Sequence, residues 1–122
     1  MVAAALCLCL AIGVADTGRD AHLLKMVELK GVIEAIPRGA DQHVVADLLR
    51  QLKLLYHPVA REDFSFDSRP SLVQPIPAEA ESAYVGYAGG RPGFDDDFVD
   101  FVVLFDRDGK ALAAKAKICG YW

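Results

Sequence analysis

The spaced aspartates of "FDRDGK" (residues 105–110) resemble the start of a calcium loop. Such a loop needs oxygen ligands at positions 1, 3 and 5, a glycine at 6 and a bidentate acid at 12. Counted from Asp106, Asp108 takes position 3, Gly109 arrives at position 4, and Lys110 and Lys117 occupy positions 5 and 12. The pattern fails at every later ligand. Asp108-Gly109 between two alternating apolar runs predicts a hairpin turn instead, with the glycine accepting positive φ. A second acidic group, "FDDDF" at 94–98, opens a stretch in which residues 95–108 hold six aspartates and one arginine. Neighbouring residues on a strand alternate faces, so three adjacent carboxylates cannot converge on one ion. They read as a solvated loop that discourages edge pairing, or as an acidic docking patch for a basic partner surface.

The remaining reactive residue types form no recognisable constellation. His22, His43 and His57 have neither metal-ligand spacing nor a fixed partner, and His43 is expected on the solvent side of a helix. G-x-S-x-G, the phosphate loop, C-x-x-C and H-E-x-x-H are all absent. "YAGGRPG" is rich in glycine but lacks the lysine and following helix of a phosphate-binding turn. Cys119 has no basic neighbour in sequence to lower its pKa and reads as a packed strand residue. A site assembled from His57 with Asp63 or Asp67 has only proximity behind it. No catalytic residue, metal or cofactor is therefore expected.

Composition narrows the function classes. A net charge of −4 and a pI near 5.2, with no basic stripe, argue against a nucleic-acid partner. With 53% hydrophobic and 25% charged residues in 122, the chain fits one globular domain. The first fifteen residues, "MVAAALCLCLAIGVA", carry no charge. This apolar stretch is too short to span a bilayer, which takes roughly 20 residues, and it matches the apolar core of a signal peptide. Gly13 and Ala15 supply the small residues wanted before cleavage, so residues 1–15 are expected to be removed and 16–122 to fold; no Lys or Arg precedes the apolar core. Cleavage would take Cys7 and Cys9 and leave Cys119 alone. Leu6 and Leu8 precede those two cysteines where lipid attachment wants a small residue, so no stable membrane attachment or span is expected after cleavage.

Five elements and a long connection would carry these residues. Residues 21–36 predict a helix, with Leu23, Met26, Val27, Leu29, Ile33 and Ile36 as its apolar face, although a strand reading also alternates. After "PRG" at 37–39, Val44, Val45, Leu48, Leu49, Leu52 and Leu55 recur at helical spacing and predict a helix over 41–56. Asp41 is placed to cap it or to oppose its dipole, and Pro58 lies beyond its end. Residues 61–81, with Pro70, Pro75 and Pro77, predict a polar loop with room for a short edge strand at Leu72–Val73, and a candidate recognition loop. From residue 82 the period is that of strands: "SAYVGYA", "FVDFVVLF" and "KALAAKAKICGYW". In the last, Leu112, Ala114, Ala116 and Ile118 alternate against Lys115 and Lys117.

"IPRGADQHVVADLL" (36–49) and "FVVLFDRDGKALAAKAK" (101–117) resemble a helix entry and the closing hairpin of small exported bacterial proteins. Together they are similar to the SmpA/OmlA envelope proteins and to the β-lactamase-inhibitor-protein-like fold. The chain departs from the lipoprotein members in having no lipid-attachment cysteine, so outer-membrane anchoring does not follow. The resemblance implies a protein that binds proteins and does not catalyse.

The expected fold is α+β: two N-terminal helices packed on a three- to four-stranded antiparallel sheet that ends in a β-hairpin, the 41–56 helix covering one side. The expected function is a periplasmic or secreted protein-binding module, an inhibitor or envelope accessory protein whose partner is another envelope or secreted protein. Its expected contact residues are Tyr84, Tyr87, Arg91, Phe94, Asp95, Asp96 and Asp97, since tyrosine and arginine anchors suit protein interfaces. Alternation puts Tyr84 and Tyr87 on opposite faces, which divides them between core and surface. The alternatives are a small-ligand carrier with a pocket between helix and sheet, and a minor enzyme without a recognisable motif.

Overall fold

The computed structural model describes residues 17–89 and 98–119; the expected signal peptide lies outside them. The described chain is α+β, with a four-stranded antiparallel sheet in the order β1-β2-β3-β4. No helix among these residues is long and apolar enough to cross a membrane.

Helix α1 runs Thr17–Glu34. Met26 and Ile33 are fully buried, and Leu29 and Ile36 pack beside them. Leu23 and Val27, expected on the same face, are exposed instead. The stripe at 26, 29, 33 and 36 is enough to seat the helix, and Val27, one residue past Met26, is turned about 100° away from it.

Helix α2, Gln42–Gln51, is shorter than the expected 41–56 and buries Val45, Ala46 and Leu49, while Val44 points to solvent. Its end is built from backbone geometry that the side-chain period hides. Lys53 adopts φ +59; its N–H reaches the Arg50 carbonyl and the Leu54 N–H reaches the Leu49 carbonyl, each at 3.0 Å. This is a Schellman closure, with Leu49 and Leu54 both buried across it. Glycine usually holds that left-handed position, and a lysine there gives no stop signal in the sequence. Leu55–Ala60 then forms β1.

At the other end of α2, Asp41 occupies the N-cap position but makes no side-chain capping bond. Its carboxylate pairs with Lys110 in the hairpin, and that hydrogen bond holds the carboxyl below its usual range. Backbone bonds continue the stitch: Gly39 N–H to Ala111 O at 2.7 Å, Ala111 N–H to Ala40 O at 2.8 Å and Gln42 N–H to Gly109 O at 2.8 Å. The hairpin turn expected at "FDRDGK" forms with Gly109 at φ +74, and Asp106 Oδ1 accepts the N–H groups of Asp108 and Lys110. The turn docks the start of α2.

Strands β2 (Ser82–Gly89), β3 (Phe98–Phe105) and β4 (Ala111–Cys119) complete the sheet. In β3, Val99, Phe101, Val103 and Phe105 face the helices and Val102 and Leu104 face the other way, all fully buried. A central strand covered on both sides reads as an apolar run. A bulge opposite Leu104/Phe105 adds one residue to β4. Beyond it Leu112 joins the face opposite Ala114, Ala116 and Ile118. The single alternation expected from Leu112 to Ile118 is corrected there, because one extra residue inverts side-chain parity.

Residues 61–81 form a strap across the second face. They contain two 3-10 turns, Arg61–Phe66 and Arg69–Leu72, rather than a strand at Leu72–Val73. Phe64, Leu72, Val73 and Ile76 pack onto Val59, Ala83, Val85, Val102 and Leu104.

Candidate interaction surface

The two faces of the sheet are covered unequally. The helix face is closed around Phe101 and Phe105. The strap closes only part of the opposite face. Strand register places Leu55, Tyr87, Asp100 and Lys117 in one row across the four strands, and His57, Val85, Val102 and Lys115 in the next. Val85 and Val102 lie under the strap, whereas in the first row Leu55 is 66% exposed and Tyr87 47%.

The strap is pinned beside that row. Arg69 gives Nε to Asp67 Oδ1 at 2.9 Å and Nη2 to Oδ2 at 2.7 Å, and the Arg69 backbone N–H adds a third bond at 2.9 Å. Both side chains are largely buried. The hydrogen bond from Arg69 is the main reason that the Asp67 carboxyl sits below its usual range, and the same bond raises the guanidinium. Asp67 also feels His57, and Arg69 feels Asp100 and Tyr87. The pair therefore stands within electrostatic reach of this sheet face. Next to it Phe66 is 85% exposed. Leu55 and Tyr87, paired across β1 and β2, make an exposed apolar pair on this sheet face, and Phe66 is a separate exposed ring on the strap.

The sheet edges offer less to a partner. The bond from Arg61 N–H to Glu81 O, at 3.0 Å, sets the parity of β1: odd residues turn their peptide groups to β2, and Tyr56, Pro58 and Ala60 turn theirs outward. Pro58 has no N–H to present, so the middle of that edge lacks a donor. On β4 the outward N–H of Ala116 is taken by Glu34 Oε2 at 3.2 Å. Burial works against the Glu34 carboxylate, but hydrogen bonds from Lys30 and from Ala116 bring its pKa below the usual value.

Among the expected contact residues, Tyr84 and Tyr87 do fall on opposite faces. The Tyr84 ring lies 4.9 Å from both Tyr56 and Phe105 on the helix side, so it packs, while Tyr87 meets solvent. Arg91, Phe94, Asp95, Asp96 and Asp97 lie outside the described residues. Sequence reasoning passed over Leu55, which it placed on a helix, and Phe66. Pro58 three residues after Leu55, and two phenylalanines in a polar stretch, were the available signals.

The chemistry-bearing residues stay apart. His43 and His57 are exposed on separate elements, and no group of three or more His, Cys, Asp or Glu among the described residues is placed to hold a metal ion. Asp67 is fully engaged by Arg69. Burial and the Asp100 carboxylate push the Cys119 thiol up, with Sγ 3.8 Å from Asp100 Oδ2, so the reactive thiolate is disfavoured. In comparisons with known proteins, no family model, no curated protein and no solved structure matches the chain.

Proposed function

We propose that this chain is an exported, non-enzymatic protein-binding module, an inhibitor or envelope accessory protein that works in the periplasm or outside the cell after removal of residues 1–15. The proposal keeps the kinship suggested by the two quoted stretches with the SmpA/OmlA and β-lactamase-inhibitor-protein-like group, in which two N-terminal helices pack on a sheet that ends in a hairpin. The observation that carries the reading is the pair Leu55 and Tyr87, exposed on the sheet face that the strap leaves partly open, with Phe66 exposed on the strap itself. Large exposed apolar side chains with charged neighbours suit a protein partner. Arg91, Phe94 and Asp95 to Asp97, in the connection that follows Tyr87 and β2, are proposed to extend the contact. Tyr84 supports it from behind.

The test is affinity capture of the tagged full-length protein from its native host, with mass spectrometry of what co-purifies. A stoichiometric envelope or secreted protein is expected. A partner-free protein would count against the reading.

A further inference from the structure

The strap contains an open groove of about 570 Å³, whose lining includes Phe64, Phe66, Ile76, Arg61, Glu62 and Asp67. Its floor is apolar, since Phe64 and Ile76 also pack on the sheet. Phe66 stands at its side, almost fully in solvent.

The charges around the groove are one-sided. Arg61 spends its guanidinium on the carbonyls of Pro77, Ala78 and Ala80, and Arg69 spends its own on Asp67. Within 61–81 these are the two basic residues, and each is committed inside the strap. Glu62, Asp63 and Glu79 are exposed and make no side-chain hydrogen bond or ion pair among the described residues. Of these, Glu62 lines the groove and Asp63 follows it in the chain, while Glu79 lies in the stretch whose carbonyls Arg61 holds. An anionic ligand would find no free cation here, and a neutral apolar one would leave three carboxylates unused.

We propose that the groove seats a basic segment of the partner protein. One apolar side chain of that segment enters between Phe64, Phe66 and Ile76, and the lysine or arginine residues beside it meet Glu62, Asp63 and Glu79. This rests on the binding-module reading and names the partner's chemistry. Apolar contact supplies most of the affinity, while the carboxylates set orientation and association rate, so salt weakens the complex.

A short fluorescent peptide alternating lysine and leucine is the probe, titrated at low salt against the full-length protein. Binding is expected to weaken about tenfold or more in Phe66→Ser, the scale of losing a central apolar contact. Glu62→Gln/Asp63→Asn should weaken it and flatten its salt dependence, while Glu28→Gln/Asp108→Asn, which removes the same charge elsewhere, should not. A glutamate–leucine peptide should not bind. The proposal is overturned if the lysine–leucine peptide does not bind, if Phe66→Ser leaves binding unchanged, or if the distant charge variant weakens it as much. A natural partner that is captured equally by Phe66→Ser and by the Glu62/Asp63 variant overturns the groove alone. The absence of any captured partner overturns the module reading itself.

Discussion

One face of the sheet is closed by two helices and the other by a strap of two short 3-10 turns. On the helix side, aromatic and aliphatic side chains from β2, β3 and β4 interlock with Met26, Ile33, Val45 and Leu49 at essentially zero exposure. On the strap side, a smaller cluster lies under Phe64, Leu72, Val73 and Ile76, and the neighbouring row keeps Leu55 and Tyr87 in solvent. The difference separates two tasks. The helix layer holds the fold, and the strap layer, seated by a few apolar side chains and fastened by polar bonds, leaves other apolar groups available.

Breaking the helix layer should have the largest effect. Phe101→Ala removes a fully buried ring and is expected to cost about 3–5 kcal/mol, a large share of the stability of a domain this size. Gly86→Ala belongs to the same class, because an added Cβ would run into the Leu55 carbonyl and lie 2.7 Å from Phe101 Cζ. It should cost about 1–3 kcal/mol or more through overpacking. Denaturant unfolding measures both.

The strap fastening should break separately. Asp67→Asn removes the charge that holds Arg69 and is expected to cost about 1–3 kcal/mol, the usual range for a hydrogen-bonded charged pair. Hydrogen exchange should rise across residues 61–81 while the amides of α1 and β3 stay protected. The pH dependence follows from the same pair. The folded pKa of Asp67 is lowered, so its contribution is complete above the unfolded value of about 3.9 and is lost as pH falls through the lower folded value. Wild type should lose this increment below about pH 4, and Asp67→Asn should lack that part of the acid dependence.

A smaller change should go the other way. Lys53→Gly relieves a left-handed lysine at the end of α2 and should stabilise by about 1 kcal/mol. For a domain of this size that raises Tm by roughly 4–8 °C. The smallest effect on stability is expected from Phe66→Ser, within about 0.5 kcal/mol, as befits an exposed position.

Lys53 also shows where the sequence was readable and where it was not. The α+β class, the three later strands and the 106–109 turn follow from period and turn chemistry, and all are present. The end of α2 was hidden because a lysine stands where glycine would mark the stop, and the apolar spacing runs on through Leu52 and Leu55 into the next strand. The bulge in β4 leaves no composition signal, since an alanine-rich strand reads the same in either register. The candidate surface was half legible. Alternation alone assigned Tyr84 and Tyr87 to opposite faces, but Leu55 joins Tyr87 only through strand pairing, and Phe66 is exposed on a strap that the Asp67–Arg69 clasp fastens. The pairing of β1 with β2 is a long-range arrangement that local pattern does not encode.

The claim that recognition belongs to the strap side is tested most directly by comparing two exposed double variants in partner capture. Leu55→Ser/Tyr87→Ser alters the open row beside the strap, and Val27→Ser/Val44→Ser alters exposed apolar residues on the helices. Both should melt close to wild type. Loss of the captured partner in the first and its retention in the second is the predicted result. Retention in the first with loss in the second would place recognition on the helix layer and contradict the account.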